Sequence, residues 1–408
     1  MTTKRCRISD IPLHTFLDFG PQPLGNGFLN KKEFENEFFY NMSVGFSEES
    51  FMVQLNDQPK PEQMFHDQYA FFSSTSNRMK KHFENFALDV LNSGYLSGST
   101  PFIVELGCND GIMLKNFANK RIKHLGIEPS RNVAEEANKN GVQTISDFFS
   151  ESLAELIVQR YGKADAFLAA NVMCHIPNIL DVAKGIKKLL KPSGVLMFEE
   201  PYLGDVIYKN SYDQIYDEHV FLFSLHSIEY LFNLVDMELI NAIPQTTHGG
   251  SMRYVLAHKG AHRVNSSVDQ LMGKEKVQKL DKLSTFIDFG LKVEKSKNDL
   301  INLLCDLKSH GKTIAGYAAT SKSTTILNYC KVGLDLITYI SDTTPIKQGK
   351  FSPGMHIPIV PHESFISNPP DYAFLFAWNH SDEIMAKEKH FSENGGKWIT
   401  HVPKVGIL

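Results

Sequence analysis

At 408 residues the chain exceeds what one hydrophobic core holds, so two or three domains are expected. With 42% hydrophobic and 22% charged residues its composition excludes disordered and fibrous classes, and a formal net charge of −4 excludes a general attraction to nucleic acid or anionic membrane. Five scattered cysteines without a C-x-x-C pair, no apolar run of membrane-spanning length and no signal-peptide pattern predict a cytoplasmic protein without a disulfide framework.

Residues 1–76 are rich in Phe, Asn, Pro and Gly and lack helical period, which predicts a small, loop-rich module with a thin core. Its last stretch, EQMFHDQYAFFSSTS, offers capping residues Ser73 to Ser76 for an amphipathic helix starting near Asn77. Tyr69 sits just before that cap and, on sequence, reads as one member of an aromatic cluster.

Over residues 77–260 strand and helix patterns alternate, predicting a mostly parallel sheet with helices on both faces. The first strand, IVELG, runs into the loop Gly107-Cys108-Asn109-Asp110-Gly111 and the helical-looking IMLKNFANK. Glycines four apart allow a tight turn and close approach of a ligand, and a helix N-terminus there favours a carboxylate or phosphate. With Asn109 at the second glycine position of a dinucleotide fingerprint, and no P-loop lysine, pyrophosphate binding is disfavoured. The loop resembles motif I of S-adenosylmethionine (SAM) methyltransferases. The next strand ends at Glu128, placed for a ribose diol; an acid there also serves NAD. Strand carboxyl ends then bring Gly107, Glu128, Asp147, Phe148, Asn171 and His175 to one edge. His175 reads equally as a substrate contact and as a helix-capping histidine.

The stretch EEPYLGDVIYKNSYDQIYDEHVFLFSL places Tyr216, Glu218 and His219 within four residues before an apolar wall. Such a trio suits proton abstraction; a surface helix carrying D-E-H is the alternative. In TTHGGSMRYVLAHKG, His248 and the two following glycines form a turn, with Arg253 available for an anion or, alternatively, part of a plain hairpin. Residues 261–408 open with long helical periodicity and a solvated charged face, then repeat an α/β pattern in which Ser321 and Lys322 start a helix suited to phosphate.

The stretches YAFFSSTS, ELGCNDG, EPS, NVMCHI, EEPYLGD, YDQIYDEHVFLFS, HGGSMR, GYAATSKSTTILNY and SDTTPIKQGKFSPGMHIPI, in this order, resemble the sugar C-methyltransferases of deoxysugar biosynthesis over essentially the whole chain. The resemblance implies a small zinc-binding-type module (1–76), a Rossmann-like SAM-binding domain (77–260) and a C-terminal α/β domain (261–408) that helps hold a nucleotide sugar. It implies SAM contacts at Glu105, Gly107, Asn109, Gly111, Glu128, Asp147, Phe148 and Asn171. The substrate would be a dTDP- or GDP-linked 4-keto-6-deoxy sugar, methylated at carbon three with inversion after His219 removes the proton beside the ketone. Glu218 would orient that base, Tyr216 would sit near the ketone oxygen, and Tyr69 and His175 would position the sugar. Ser321, Lys322, His248 and Arg253 are the substrate-binding candidates. The family's two C-x-x-C pairs correspond here to Cys6 with Ser9 and Ser47 with Ser50, so no zinc is expected. The rivals are an NAD-dependent nucleotide-sugar dehydrogenase and a sugar O- or N-methyltransferase; a monomer or small homo-oligomer is expected.

Overall fold

A computed structural model describes residues 4–64, 73, 77–96, 98 and 100–408. The N-terminal strands β1 (His14–Pro23), β2 (Phe39–Phe46) and β3 (Val53–Leu55) form an antiparallel meander. The helix Asn77–Asn92 follows and starts where the serine cluster predicts.

The central sheet begins with β4 (Phe102–Leu106), β5 (Lys123–Ile127), β6 (Thr144–Ile145), β7 (Ala164–Ala170) and β8 (Leu190–Pro201), all parallel. All of β4 and most of β7 are buried, as expected of parallel strands covered on both faces, and so read as near-continuous apolar runs. A short strand β9 (Phe221–Leu222) leaves this domain and pairs with β3, so the N-terminal sheet is completed from the middle of the chain. Antiparallel β10 (Met237–Gln245) and β11 (Ser251–His258) then extend the central sheet, giving the order β10-β11-β8-β7-β4-β5-β6. Register pairs Leu106 with Ile127 and Ala169, which brings the carboxyl ends of β4, β5 and β7 to one edge.

The periodic stretch after residue 261 forms two helices, Ser266–Gln278 and Leu283–Ser309. A third sheet is built from β12 (Ile314–Tyr317), β13 (Ile340–Asp342), β14 (Ile359–Pro361), β15 (Tyr372–Leu375), β16 (Lys397–Thr400) and β17 (Gly406–Ile407), in the order β14-β13-β12-β15-β16-β17. One apolar core joins it to the N-terminal meander: Phe46 packs on Phe286 with ring centroids 4.2 Å apart, and Leu203, Tyr212 and Ile326 belong to the same cluster.

One local expectation needs correcting. IMLKNFANK supplies only a single helical turn, Lys115–Ala118, because residues 111–114 are still turning out of the strand. A one-turn helix has little dipole, so the loop's own backbone and side chains must hold a ligand there. Among the described residues no helix is long and apolar enough to cross a membrane.

Candidate active site

The carboxyl ends of the central strands open into a cavity of about 660 Å³ whose opposite wall comes from the C-terminal sheet. At one end stands the Gly107 loop. Gly107 has φ +64°, and a Cβ on it would lie 2.7 Å from Val172 Cγ2, so this turn closes only on glycine. Asn109 takes φ 49°, its amide donates to Glu128 Oε2 at 3.1 Å, and its own Oδ1 accepts from the Ser73 amide at 2.9 Å. Glu128 Oε1 accepts from the Ser130 amide at 3.0 Å. Burial pushes the Glu128 carboxyl up, and the Ser130 and Asn109 amides pull it back. The loop and its acid thus form one hydrogen-bonded unit.

Gly107, Asn109, Glu128, Phe148 and Asn171 line this end together. Glu105 and Gly111 lie beneath it. Glu105 is buried, and burial with the neighbouring Glu128 charge holds its carboxyl well above the usual range. Gly111's freedom serves packing, since a Cβ there would lie 2.8 Å from Val142 Cγ2. Asp147 is exposed away from the cavity wall, and its carboxylate accepts from the Phe148 amide at 2.8 Å. Of the expected SAM contacts it is therefore one that does not line the cavity.

The middle of the cavity holds the Tyr216, Glu218 and His219 group. The surface-helix alternative fails, because residues 215–220 are not helical and Asp217, Glu218 and His219 are only 2%, 5% and 5% exposed. His219 Nδ1 lies 2.6 Å from the Gln214 carbonyl, and Nε2 lies 2.7 Å from the Tyr216 hydroxyl. A carbonyl only accepts, so Nδ1 carries the proton and Nε2 offers its lone pair; the ring is oriented by the Gln214 carbonyl where Glu218 was expected to do so, and Glu218 Oε1 instead accepts from Asn26 Nδ2 at 2.7 Å. Burial, reinforced by the nearby His175, His248 and Lys322, holds the imidazole well below its ordinary pKa and therefore neutral. His175 stacks near it, ring centroids 5.3 Å apart, and burial lowers it to about 4. The short turn carrying His175 is anchored by Glu200, whose Oε1 accepts from the Val172, Met173 and Cys174 amides at 3.0, 2.7 and 3.3 Å.

The far end is cationic. Lys322 and Lys347 both line it; Lys322 donates to Asn379 Oδ1 at 3.1 Å and Lys347 to the Ala319 carbonyl at 2.8 Å. Burial lowers both amines, and Asp213 and Asp342 respectively oppose it. The helix Ser321–Tyr329 starts here, its Thr320 cap accepting from the Ser323 amide at 3.1 Å, and Ser321 lines the cavity. His248 also lines it, in a turn with φ 53°, lowered by burial to about 3. The glycine beside it admits protein rather than ligand: a Cβ on Gly249 would lie 2.1 Å from Trp378 Cη2.

Arg253 corrects another expectation. It is 4% exposed and absent from the cavity wall, with NH2 2.5 Å from Glu199, NH1 2.7 Å from Asp89, and its guanidinium 3.8 Å over the Phe86 ring. A substrate anion would have to displace two carboxylates. Tyr69 lies outside the described residues. Sequence reasoning missed Lys347 and Asn379, although both follow strands of the C-terminal sheet, the edge where ligands of such sheets collect.

Cys174, His175 and His219 bring three metal-type donors within 4.8 Å, but both ring nitrogens of His219 are already engaged. In the N-terminal module Cys6 Sγ lies 3.2 Å from Ser50 Oγ, and Ser9 Oγ lies 3.5 Å from Ser47 Oγ. The Ile8 amide points at Cys6 Sγ (3.4 Å) and the Ser50 amide at Ser47 Oγ (3.3 Å). Burial pushes the Cys6 thiol up, but bonds from the Ser50 and Ser9 hydroxyls and from the Ser9 and Ile8 backbone outweigh it and leave the thiol below its ordinary value.

Family models match three consecutive regions: a zinc binding domain over residues 6–65, a methyltransferase domain over 79–242 and a C-methyltransferase C-terminal domain over 246–403. The converging Cys6, Ser9, Ser47 and Ser50 do not fit zinc, since three neutral hydroxyls and one thiol are a poor tetrahedral donor set. The C-methyltransferase NovU of Streptomyces niveus is 32% identical over 395 residues, 96% of this chain and 93% of that protein. A ubiquinone biosynthesis O-methyltransferase of Escherichia coli is 22% identical over 35% of the chain. A solved SAM-dependent methyltransferase of Anabaena variabilis covers 43% of this chain and 84% of its own at 18% identity and a TM-score of 0.36. With that near full-length likeness, and a cofactor loop that is neither a dinucleotide fingerprint nor a P-loop, the chain belongs to the C-methyltransferase family and uses S-adenosylmethionine as its methyl donor.

Proposed function

We propose that the protein methylates carbon three of a nucleotide-linked 4-keto-6-deoxy sugar. The observation that carries this reading is His219: a buried, neutral imidazole, pinned through Nδ1 to the Gln214 carbonyl with Nε2 toward the cavity that also holds the Gly107 loop. A ring C–H is not acidic, but beside a ketone its proton can leave because charge passes to the carbonyl oxygen. His219 Nε2 takes that proton. Tyr216, whose hydroxyl now rests on Nε2, turns to donate to the developing enolate oxygen, and neutral His175 orients the sugar beside it. SAM, when bound, supplies an electrophilic methyl; Gly107, Asn109, Glu128, Phe148 and Asn171 would hold it, leaving the C-terminal end free for substrate.

In this division of labour residues 77–260 grip the donor and residues 261–408 the nucleotide sugar. The two lysines Lys322 and Lys347 and the helix start at Ser321 form a cationic pole suited to a diphosphate, with His248 nearby for a sugar or phosphate oxygen. The protein incubated with SAM and a panel of dTDP- and GDP-linked sugars, with and without a 4-ketone, should add one methyl to carbon only where the ketone is present. Methylation on oxygen of a non-keto sugar would overturn the reading.

A further inference from the structure

The N-terminal module lines the cavity with Asn26, Pro61, Glu62 and Ser73, and the first of these sits on the loop after β1. After β1 the chain turns at Leu24–Gly27, the Gly27 amide donating to the Leu24 carbonyl at 3.0 Å, and inserts between residues 216–219 and the helix Ser321–Tyr329. The Gly25 amide donates to Asp217 Oδ1 at 3.0 Å, and its carbonyl accepts from Thr324 Oγ1 at 2.8 Å. A Cβ on Gly25 would lie 2.6 Å from Asp217 Oδ1 and 3.1 Å from Ser321 Cβ, so only glycine lets backbone into this seam. The next residue, Asn26, lines the cavity and donates from Nδ2 to Glu218 Oε1 at 2.7 Å.

Resting on the function proposed above, we infer that Asn26 is a positioning residue that holds the cavity-lining Glu218 in place to orient the sugar against the base His219, making the N-terminal module a wall of the active site. Asp217 and Glu218 are adjacent buried carboxyl groups, Asp217 pushed up to about 8 by burial and by the Glu218 charge, and each takes a donor from this loop, 192 residues away in sequence. A hydrogen bond to a charged acceptor is among the stronger ones. It ties Oε1 in one place, so the carboxylate beside His219 does not sample other rotamers in the cavity. The module's apolar sheet and its cluster of Cys6, Ser9, Ser47 and Ser50 (the serine knuckle) then serve to hold two residues, Gly25 and Asn26, in register with the catalytic segment.

The test compares Asn26→Ala and Asn26→Asp in the full-length protein. Asn and Asp are nearly the same shape, so a packing role would tolerate Asp and suffer with Ala. A positioning role through the Glu218 carboxylate predicts the reverse order, because Asp sets a second carboxylate against the first. Deuterium exchange beside the ketone should fall roughly 10- to 100-fold in Asn26→Ala and further in Asn26→Asp. SAM affinity and the KM for nucleotide sugar should hold in both variants, which reports a folded cavity independently of any thermal stability lost to the added carboxylate. Wild-type exchange in Asn26→Asp would overturn the inference alone, whereas absence of exchange in the unmodified protein would overturn the function on which it rests.

Discussion

The Tyr216 hydroxyl and Nε2 of His219 lie 2.7 Å apart with ring centroids 4.0 Å apart, so the phenol occupies the lone pair that a substrate proton must reach. Loss of the base and loss of its phenol should therefore separate. His219→Asn is expected to lower deuterium exchange beside the ketone about 10²- to 10⁴-fold, the usual worth of a general base. Tyr216→Phe leaves the base and removes one donor, and should cost about 10-fold. Both variants should bind SAM as the unmodified protein does, by calorimetry.

The acid limb of the rate should lie below the ordinary imidazole range. Burial and the fields of His175, His248 and Lys322 lower the His219 pKa, so its neutral form persists as pH falls. Exchange rates measured from about pH 8 downward should stay level through about pH 6.5, the unperturbed value. Burial raises the Glu200 carboxyl beneath the His175 turn to about 7, so an inflection near the unperturbed imidazole value that persists in Glu200→Gln would mean that the base is solvated.

Lys322→Ala and Lys347→Ala should each weaken nucleotide-sugar binding roughly 10- to 100-fold, the worth of a hydrogen bond to a charged group, while SAM affinity holds. Titration calorimetry with each ligand separates the two ends of the cavity. Equal loss for both ligands would move the diphosphate away from this pole.

Arg253→Met should act on stability instead of binding. Among the described residues it leaves buried Glu199 with His82 alone, 2.6 Å away, and breaking such a buried pair costs about 3–5 kcal/mol. Thermal unfolding should show the loss, and KM for the nucleotide sugar should hold; a raised KM would restore Arg253 to the substrate site.

The serine knuckle should stay metal-free. Metal analysis of protein purified without chelator should find no bound zinc, and the triple variant Ser9→Cys, Ser47→Cys, Ser50→Cys should gain one zinc per chain. The four positions already converge, so only donor chemistry separates the two outcomes.

The sequence by itself determined what is written in local periodicity and short motifs. Buried parallel strands must read as unbroken apolar runs and strand ends must carry turn residues, so β4 with its Gly107 loop, Glu128 after β5 and the helix start at Ser321 were all legible. Its errors have the same origin. Spacing cannot tell a four-residue turn of helix from a nine-residue one, nor say that Arg253 meets Glu199 and Asp89. Only the tertiary structure decided that the D-E-H segment is buried and that His219 is pinned by the Gln214 carbonyl. It also decided that Lys347 and Asn26 join the cavity from remote parts of the chain. Those relations are contacts between distant segments, and their free energy comes from packing and desolvation that no local window of residues contains.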